Sequence, residues 1–488
     1  MSIRAPVSEI GKSTIIYGLG SISAKIAAFI LIPVYTKFLS SEIVGTIALI
    51  ELLETFFIGI GQMGIIQAVW TYIPREKKSM QRQIIFSGFL GIIIANIIFL
   101  SIFLIWSSTF SKLVGLNKEN SYLFYFVIIN VLLQFGSIFQ LSILQYQNRP
   151  ISYLVLSIAQ LFGILIISSV FIIKFKLGLF GVLVAKMLVM SISFVYCSYS
   201  ISKNYISYPS IKVFIRLLKF GFPLVILGLS GAILRLSDRF ILTMFVPLSE
   251  IGIFSINYKF GMLLNMFLVA PMLKGLLPMI YKNSQNKDMY PVYRDLLYYY
   301  CIIGCFFILG ITFFISPIIE YVSSSEYLKM TFIVPIISLA YLFSGFRAFF
   351  MPMIAGTNKT DIIGKWTLYG IIISIILNYL LIAQLGIIGA AISTLICYFI
   401  HSLISYLISQ SILQLEWRLL RIIKLLFLTI LISSVFYVLT IILDFNQIFI
   451  GLILIIIFPF LLRLFKIISD REITGMISIF LKVKNQIK

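Results

Sequence analysis

The chain has 488 residues, of which 60% are hydrophobic and 11% charged, and its mean hydropathy is +1.08. Soluble globular proteins carry about 25% charged residues, so a water-soluble fold is excluded and the composition is that of an integral membrane protein. The formal net charge of +21, from 38 Lys and Arg against 17 Asp and Glu, would ordinarily suggest nucleic acid. A basic nucleic-acid-binding face needs a solvated domain, however, and no loop here is long enough to form one. The surplus must serve topology, a ligand, or both.

The opening stretch, MSIRAPVSEIGK, is polar and lacks the short apolar core and small-residue cleavage site of a removable signal peptide. The first span is therefore expected to act as the targeting signal. At about 20 residues per crossing, the apolar runs predict about fourteen spans. Their approximate limits are 14–36, 43–70, 84–106, 121–144, 151–173, 178–201, 219–246, 251–281, 295–319, 329–353, 361–383, 387–410, 419–443 and 447–468. Connections are short: REKKSMQRQ follows the second span, QNRP the fourth, KLGLFG the fifth and YKNSQNKDMYPVYRD the eighth.

Lys and Arg collect in cytoplasmic loops. With the amino terminus inside, roughly 25 basic residues fall in the leader, the even-numbered loops and the tail, against roughly 6 in the odd-numbered loops. Both termini are therefore expected in the cytoplasm. Sliding the chain over itself by roughly 208 residues exposes a repeat. SSEIVG (Ser40 to Gly45) falls on LSEIG (Leu248 to Gly252), LGLFGV (Leu177 to Val182) on LGIIGA (Leu385 to Ala390), and QNRP around Asn148 near TNKT around Asn358. The period spans six helices, an even number, so the halves should share orientation about an axis along the membrane normal. The expected fold is an all-α polytopic membrane protein. It has a six-helix lobe over 1–215, a second over 216–415, and two extra helices with a basic tail over 416–488.

A charge at the centre of a span costs about 2.5 to 3.5 kcal/mol on insertion scales and faces a bundle interior or a wet cavity. The spans carry Lys25, Glu51, Glu54, Lys186, Arg235, Asp238, Arg239, Lys259, Lys274 and Arg347, mostly on spans one, two, seven and eight. Residues three and four apart share a helix face, so Arg235, Asp238 and Arg239 form one stripe and Glu51 with Glu54 another. Two readings stand for any one of them. Pairs such as Arg235 with Asp238 or Glu51 with Lys259 would hold helices together; cations left over would meet an anionic ligand. Lys274 and Arg347 lie near span ends where long side chains snorkel.

Gly221, Pro223, Gly228 and Gly231 in span seven, and Pro271 and Pro278 in span eight, are helix breakers suited to bending. Cys197, Cys301, Cys305 and Cys397 sit in apolar runs as small hydrophobes, and His401, the only histidine, is expected to pack. GIGQMG (Gly59 to Gly64) reads as a small-residue packing stretch within the second span. No phosphate-binding loop, His/Cys cluster or nucleotide motif is present, so the chain is expected to be a transporter rather than an enzyme, with no metal or cofactor.

Three stretches resemble the polysaccharide exporters of the multidrug/oligosaccharidyl-lipid/polysaccharide superfamily, and in particular the Wzx-type repeat-unit flippases of O-antigen and capsule synthesis. They are GKSTIIYGLGSISAKIAAFILIPVYTKFLSSEIVGT, KFGFP at Lys219 to Pro223, and RLSDRFILTMFVPLSEIGIFSINYKFGML at Arg235 to Leu263. The resemblance implies two lobes that alternate access in a bacterial inner membrane, and a lumen accepting an undecaprenyl-diphosphate-linked oligosaccharide. It also implies membrane lipids, a polysaccharide polymerase and a chain-length regulator as partners, with no nucleic acid. Central cations meet the diphosphate in such flippases, a role it gives to Lys25, Arg235 and Lys259, with Arg239, Lys186, Lys274 and Arg347 around them. Glu51, Glu54 and Asp238 are candidates for proton or sodium coupling or for charge pairing. A peptidoglycan-precursor flippase and a cation-coupled multidrug exporter of the same superfamily remain alternatives, as does, from another class, a membrane glycan polymerase.

Overall fold

A computed structural model describes residues 29–116, 118–273, 276, 280, 287–355, 360–413, 417–442 and 445–468. Among these residues the only regular structure is helical, as expected where hydrocarbon offers the backbone no partner and each segment must satisfy its own N–H and C=O groups. In chain order the helices are α1 (Phe29–Phe38), α2 (Ser41–Gly61), α3 (Ile65–Tyr72), α4 (Lys78–Ile105), α5 (Ser107–Leu113), α6 (Leu123–Tyr146), α7 (Pro150–Ile173), α8 (Gly178–Tyr205), α9 (Ile211–Leu242) and α10 (Leu248–Gly261). There follow α11 (Tyr290–Val322), α12 (Ile333–Ala355), α13 (Thr360–Leu413), α14 (Leu419–Tyr437) and α15 (Gln447–Leu464). Ten helices among the described residues are long and apolar enough to cross a membrane.

Local chemistry sets several of the ends. The side chains of Ser40, Ser210 and Asn446 accept from backbone N–H groups at the starts of α2, α9 and α15, satisfying donors that a first turn leaves open. Pro150 opens α7, where its missing N–H costs nothing.

The expected second span is not continuous. Met63 (φ 49°) and Gly64 (φ 63°) are left-handed and divide it into α2 and α3, a conformation that glycine adopts freely. The break is repaired from a neighbouring helix: Asn96 on α4, fully buried, donates to the carbonyls of Gly61 and Ile92, each at 2.7 Å. The glycines of GIGQMG thus serve a bend as well as packing. The expected eleventh and twelfth spans run together as α13, parted only at Gly386 (φ 55°, ψ −128°). Single π turns at Asn265–Val269 and Val438–Ile442 follow α10 and α14.

The chain divides into two compact units. The first holds the described residues up to Ile256 with Val322–Glu326 and Gly364–Ser393; the second holds Asn257–Tyr321, Tyr327–Ile363 and the described residues from Thr394 onward. In the first, α6 is central, with 67% of its most apolar stretch buried against 11% for α7, which leaves α7 largely exposed. Buried amides knit this unit: Gln160 donates to Ser137 (2.7 Å) and Ser193 (3.0 Å), Asn130 to the Leu183 carbonyl (3.2 Å), and Asn378 to Ser237 (2.9 Å). The second unit is built on aromatic packing, with Phe313 against Phe436 at 4.6 Å between centroids and Phe350 against Trp417 at 5.2 Å. Tyr300 there donates to the Leu342 carbonyl (2.9 Å) and Asn257 to that of Tyr327 (3.0 Å). All four cysteines are buried free thiols, and His401 is buried.

Candidate functional site

Two carboxylates of the first unit are buried against cations. Glu54, in the middle of α2 and 3% exposed, is ion-paired with Lys186 on α8. Asp238, also 3% exposed, accepts from the Arg239 backbone N–H at 2.7 Å and lies 3.5 Å from the Arg239 guanidinium. That guanidinium sits over the Phe254 ring, 5.5 Å from its centroid. Pairing is what allows such charges to lie out of water: removing one partner of a buried pair strands the other at a cost of about 3 to 5 kcal/mol.

The stripe expected at the middle of a 219–246 span lies instead in the last turns of a helix that runs Ile211–Leu242. Arg239 there complements the negative end of the helix dipole. The Arg235 backbone is helical, one turn earlier on α9. Glu51 is half-buried one turn before Glu54, Lys259 is half-buried near the end of α10, and Arg347 is half-buried on α12; all three are engaged by neighbours. Lys25 and Lys274 lie outside the described residues. The structure therefore brings together Glu54 with Lys186 and Asp238 with Arg239. The first of these pairs joins positions 132 residues apart, and no spacing rule could have found it. Among the described residues, no group of three or more His, Cys, Asp or Glu could hold a metal ion.

Backbones meet without intervening side chains at two places along α2 and α3. A methyl group on Gly45 would fall on the Leu248 carbonyl, and one on Gly252 would fall on the Ser41 carbonyl, so the aligned stretches SSEIVG and LSEIG pack on each other. At the far end, a methyl on Gly64 would fall on the Gly221 carbonyl, and one on Gly221 would strike the backbone of Met63 and Gly64. Glu51 and Glu54 lie between these contacts, Glu54 being about 13.5 Å along α2 from Gly45 and about 10 Å from the end of α2 at Gly61.

A further cluster, whose cations lie before and at the first residue of the expected seventh span, sits beside the Gly64 contact. Arg216 Nη1 is 3.0 Å from Glu76 Oε1, and its guanidinium lies 4.2 Å from the centroid of Tyr72, whose ring meets Phe220 edge-on at 5.5 Å. The Gln81 side chain donates to the carbonyls of Ile73 and Glu76, both at 2.9 Å, and so fixes the turn that carries the carboxylate. Lys212, Arg216 and Lys219 share one face of α9 and, with Tyr72, Ile215 and Phe220, line an open cleft of about 500 Å³.

A family model described as polysaccharide biosynthesis protein matches residues 10–284. A search of curated proteins returns no match. Among solved structures, the fold is similar to that of the Lipid II flippase MurJ in an inward closed conformation, with a TM-score of 0.73 and 18% identity over 92% of this chain and 99% of that one. It is similar also to an inward-facing multidrug resistance MATE family transporter of the MOP superfamily (TM-score 0.65, 13% identity, 84% and 95% covered). A third is the MATE transporter VcmN of Vibrio cholerae (TM-score 0.58, 14% identity, 83% and 97% covered).

Proposed function

Because the chain belongs to the polysaccharide biosynthesis protein family, we propose that it is a Wzx-type flippase. In this reading it carries an undecaprenyl-diphosphate-linked oligosaccharide repeat unit from the cytoplasmic to the outer leaflet of a bacterial inner membrane, by alternating access, for O-antigen or capsule synthesis. The family match, set on a multi-pass helical fold like that of flippases and exporters, is the observation that carries the reading. The intramembrane charges support it. A sugar diphosphate cannot enter hydrocarbon unaided, and cations facing a wet path replace its hydration. In this proposal Lys25, Arg235 and Lys259 meet the diphosphate, with Lys274 and Arg347 nearer the ends of the path. Lys186 and Arg239, each held by a carboxylate, tune the charge around it. Glu54 is the candidate for ion coupling, since its protonation would release Lys186. In this proposal both termini lie in the cytoplasm, a polymerase and a chain-length regulator are the partners, and no catalytic step is assigned to the chain.

A peptidoglycan-precursor flippase is the second reading, favoured by the likeness to MurJ over nearly its whole length. Deletion separates the two. Lipid-linked single repeat units accumulating on the cytoplasmic side, with Lipid II unchanged, support the first reading; accumulation of Lipid II supports the second; externally exposed units that fail to extend mean a polymerase and sink both. Arg235→Ala with Lys259→Ala is expected to abolish surface glycan while the protein remains inserted, and normal glycan on those cells would remove the two cations from the proposed site.

A further inference from the structure

The cleft beside the Gly64 contact carries more cations than its surroundings neutralise. Arg216 has Glu76, whereas Lys212 and Lys219 have no carboxylate partner among the described residues. Three positive side chains on one helix face thus stand against one negative group. The cytoplasmic bias of basic residues explains their sign. It does not explain why they line a concavity between α3 and α9, or why its wall is aromatic. The two lysines bracket Arg216 at one turn below and one turn above, so their ammonium groups and the guanidinium fork can converge on a compact anion. The volume of about 500 Å³ exceeds what a phosphate fills, and Tyr72 and Phe220 present rings to whatever is attached to it.

We propose that the Lys212, Arg216 and Lys219 cleft docks the phosphate or diphosphate headgroup of a lipid at the membrane interface, and that this anion competes with Glu76 for Arg216. Occupation then loosens the tie between the turn after α3 and α9, next to the place where Gly64 and Gly221 close backbone on backbone. The inference deepens the proposed function by adding a docking position apart from the central cations, and it rests on that reading only for the choice between two lipids. A transported lipid diphosphate and a bulk anionic phospholipid present the same chemistry here.

The test uses the full chain in phosphatidylcholine nanodiscs, titrated separately with undecaprenyl diphosphate and with phosphatidylglycerol, the bound lipid being counted by native mass spectrometry. Each lost charge-assisted contact is worth about tenfold in affinity, so Lys212→Gln with Lys219→Gln is expected to weaken binding about a hundredfold. Lys212→Arg with Lys219→Arg should retain it, and Glu76→Gln, which frees Arg216, should tighten it. Preference for undecaprenyl diphosphate assigns the cleft to the transported lipid, and preference for phosphatidylglycerol assigns it to the bilayer; either supports the site. Equal binding by wild type and the glutamine variant overturns it, and unaltered binding by Glu76→Gln overturns the competition. Failure of the flippase reading appears separately, as unchanged lipid-linked intermediates in the deletion strain, and leaves this result standing.

Discussion

The Glu54–Lys186 pair and the Glu76–Arg216 pair are made of the same kinds of groups, yet they do opposite work. The first is buried on its acidic side, with side-chain exposures of 4% for Glu54 and 21% for Lys186; the second is open, at 27% for Glu76 and 49% for Arg216. In hydrocarbon a lone charge is prohibitive, so the buried pair is matched one to one and parts only when a proton neutralises the carboxylate. At the interface water solvates each group, the pair is worth about 0 to 1 kcal/mol, and surplus cations can stand nearby unpaired. A buried pair is fitted to hold helices in place, and an exposed pair with spare cations is fitted to exchange partners.

The largest expected effect comes from breaking the buried pair on one side. Glu54→Ala leaves Lys186 facing α2 without its carboxylate and should destabilise the protein by about 3 kcal/mol or more, read as a lowered unfolding midpoint in detergent. Glu54→Leu with Lys186→Met removes both charges and should recover most of that loss. A double variant as unstable as Glu54→Ala would show that the pair's value is packing rather than charge, and the contrast with the open pair would fail.

A smaller effect is expected at the glycine contact that shapes the cleft. Gly64→Ala places a side chain in a left-handed conformation and drives its methyl onto the Gly221 backbone, together costing at least about 2 kcal/mol. Because relief requires α3 and α9 to separate, Tyr72 and Phe220 should part, and Lys212 and Lys219 should become more reactive towards an amine-labelling reagent while Lys186 does not. Equal change at all three lysines would mean general loosening rather than a local opening of the cleft.

The division between the two regions was legible in the sequence only in part. Hydropathy placed the helices, because apolar runs of about 20 residues follow directly from membrane thickness, and Asp238 beside Arg239 was visible as neighbours on one face. Glu54 with Lys186 was not, since helices far apart in the chain meet by tertiary packing alone. The left-handed turn at Met63 and Gly64 was hidden for a related reason: Asn96, on another helix, supplies the hydrogen bond that makes the break tolerable. Lys212 and Arg216 precede the seventh span and Lys219 opens it, and position relative to a span says where a cation lies and nothing of the concavity it lines.

The smallest effect discriminates the two pairs most directly, because screening acts only where solvent reaches. The Debye length falls from about 10 Å at 0.1 M salt to about 3 Å at 1 M. Over that range the part of the Arg216→Ala effect that comes from the Glu76 ion pair, no more than about 1 kcal/mol in stability, should vanish, leaving the part that comes from packing on Tyr72. The Glu54→Ala penalty should stay nearly constant, since the carboxylate it removes lies away from the ions that would screen it. Headgroup docking in the cleft should weaken with salt in parallel with the Arg216 effect, for it draws on the same exposed charges. Salt-independent docking would locate the lipid's phosphate at the buried cations instead, and the open cleft would then be a consequence of orientation alone.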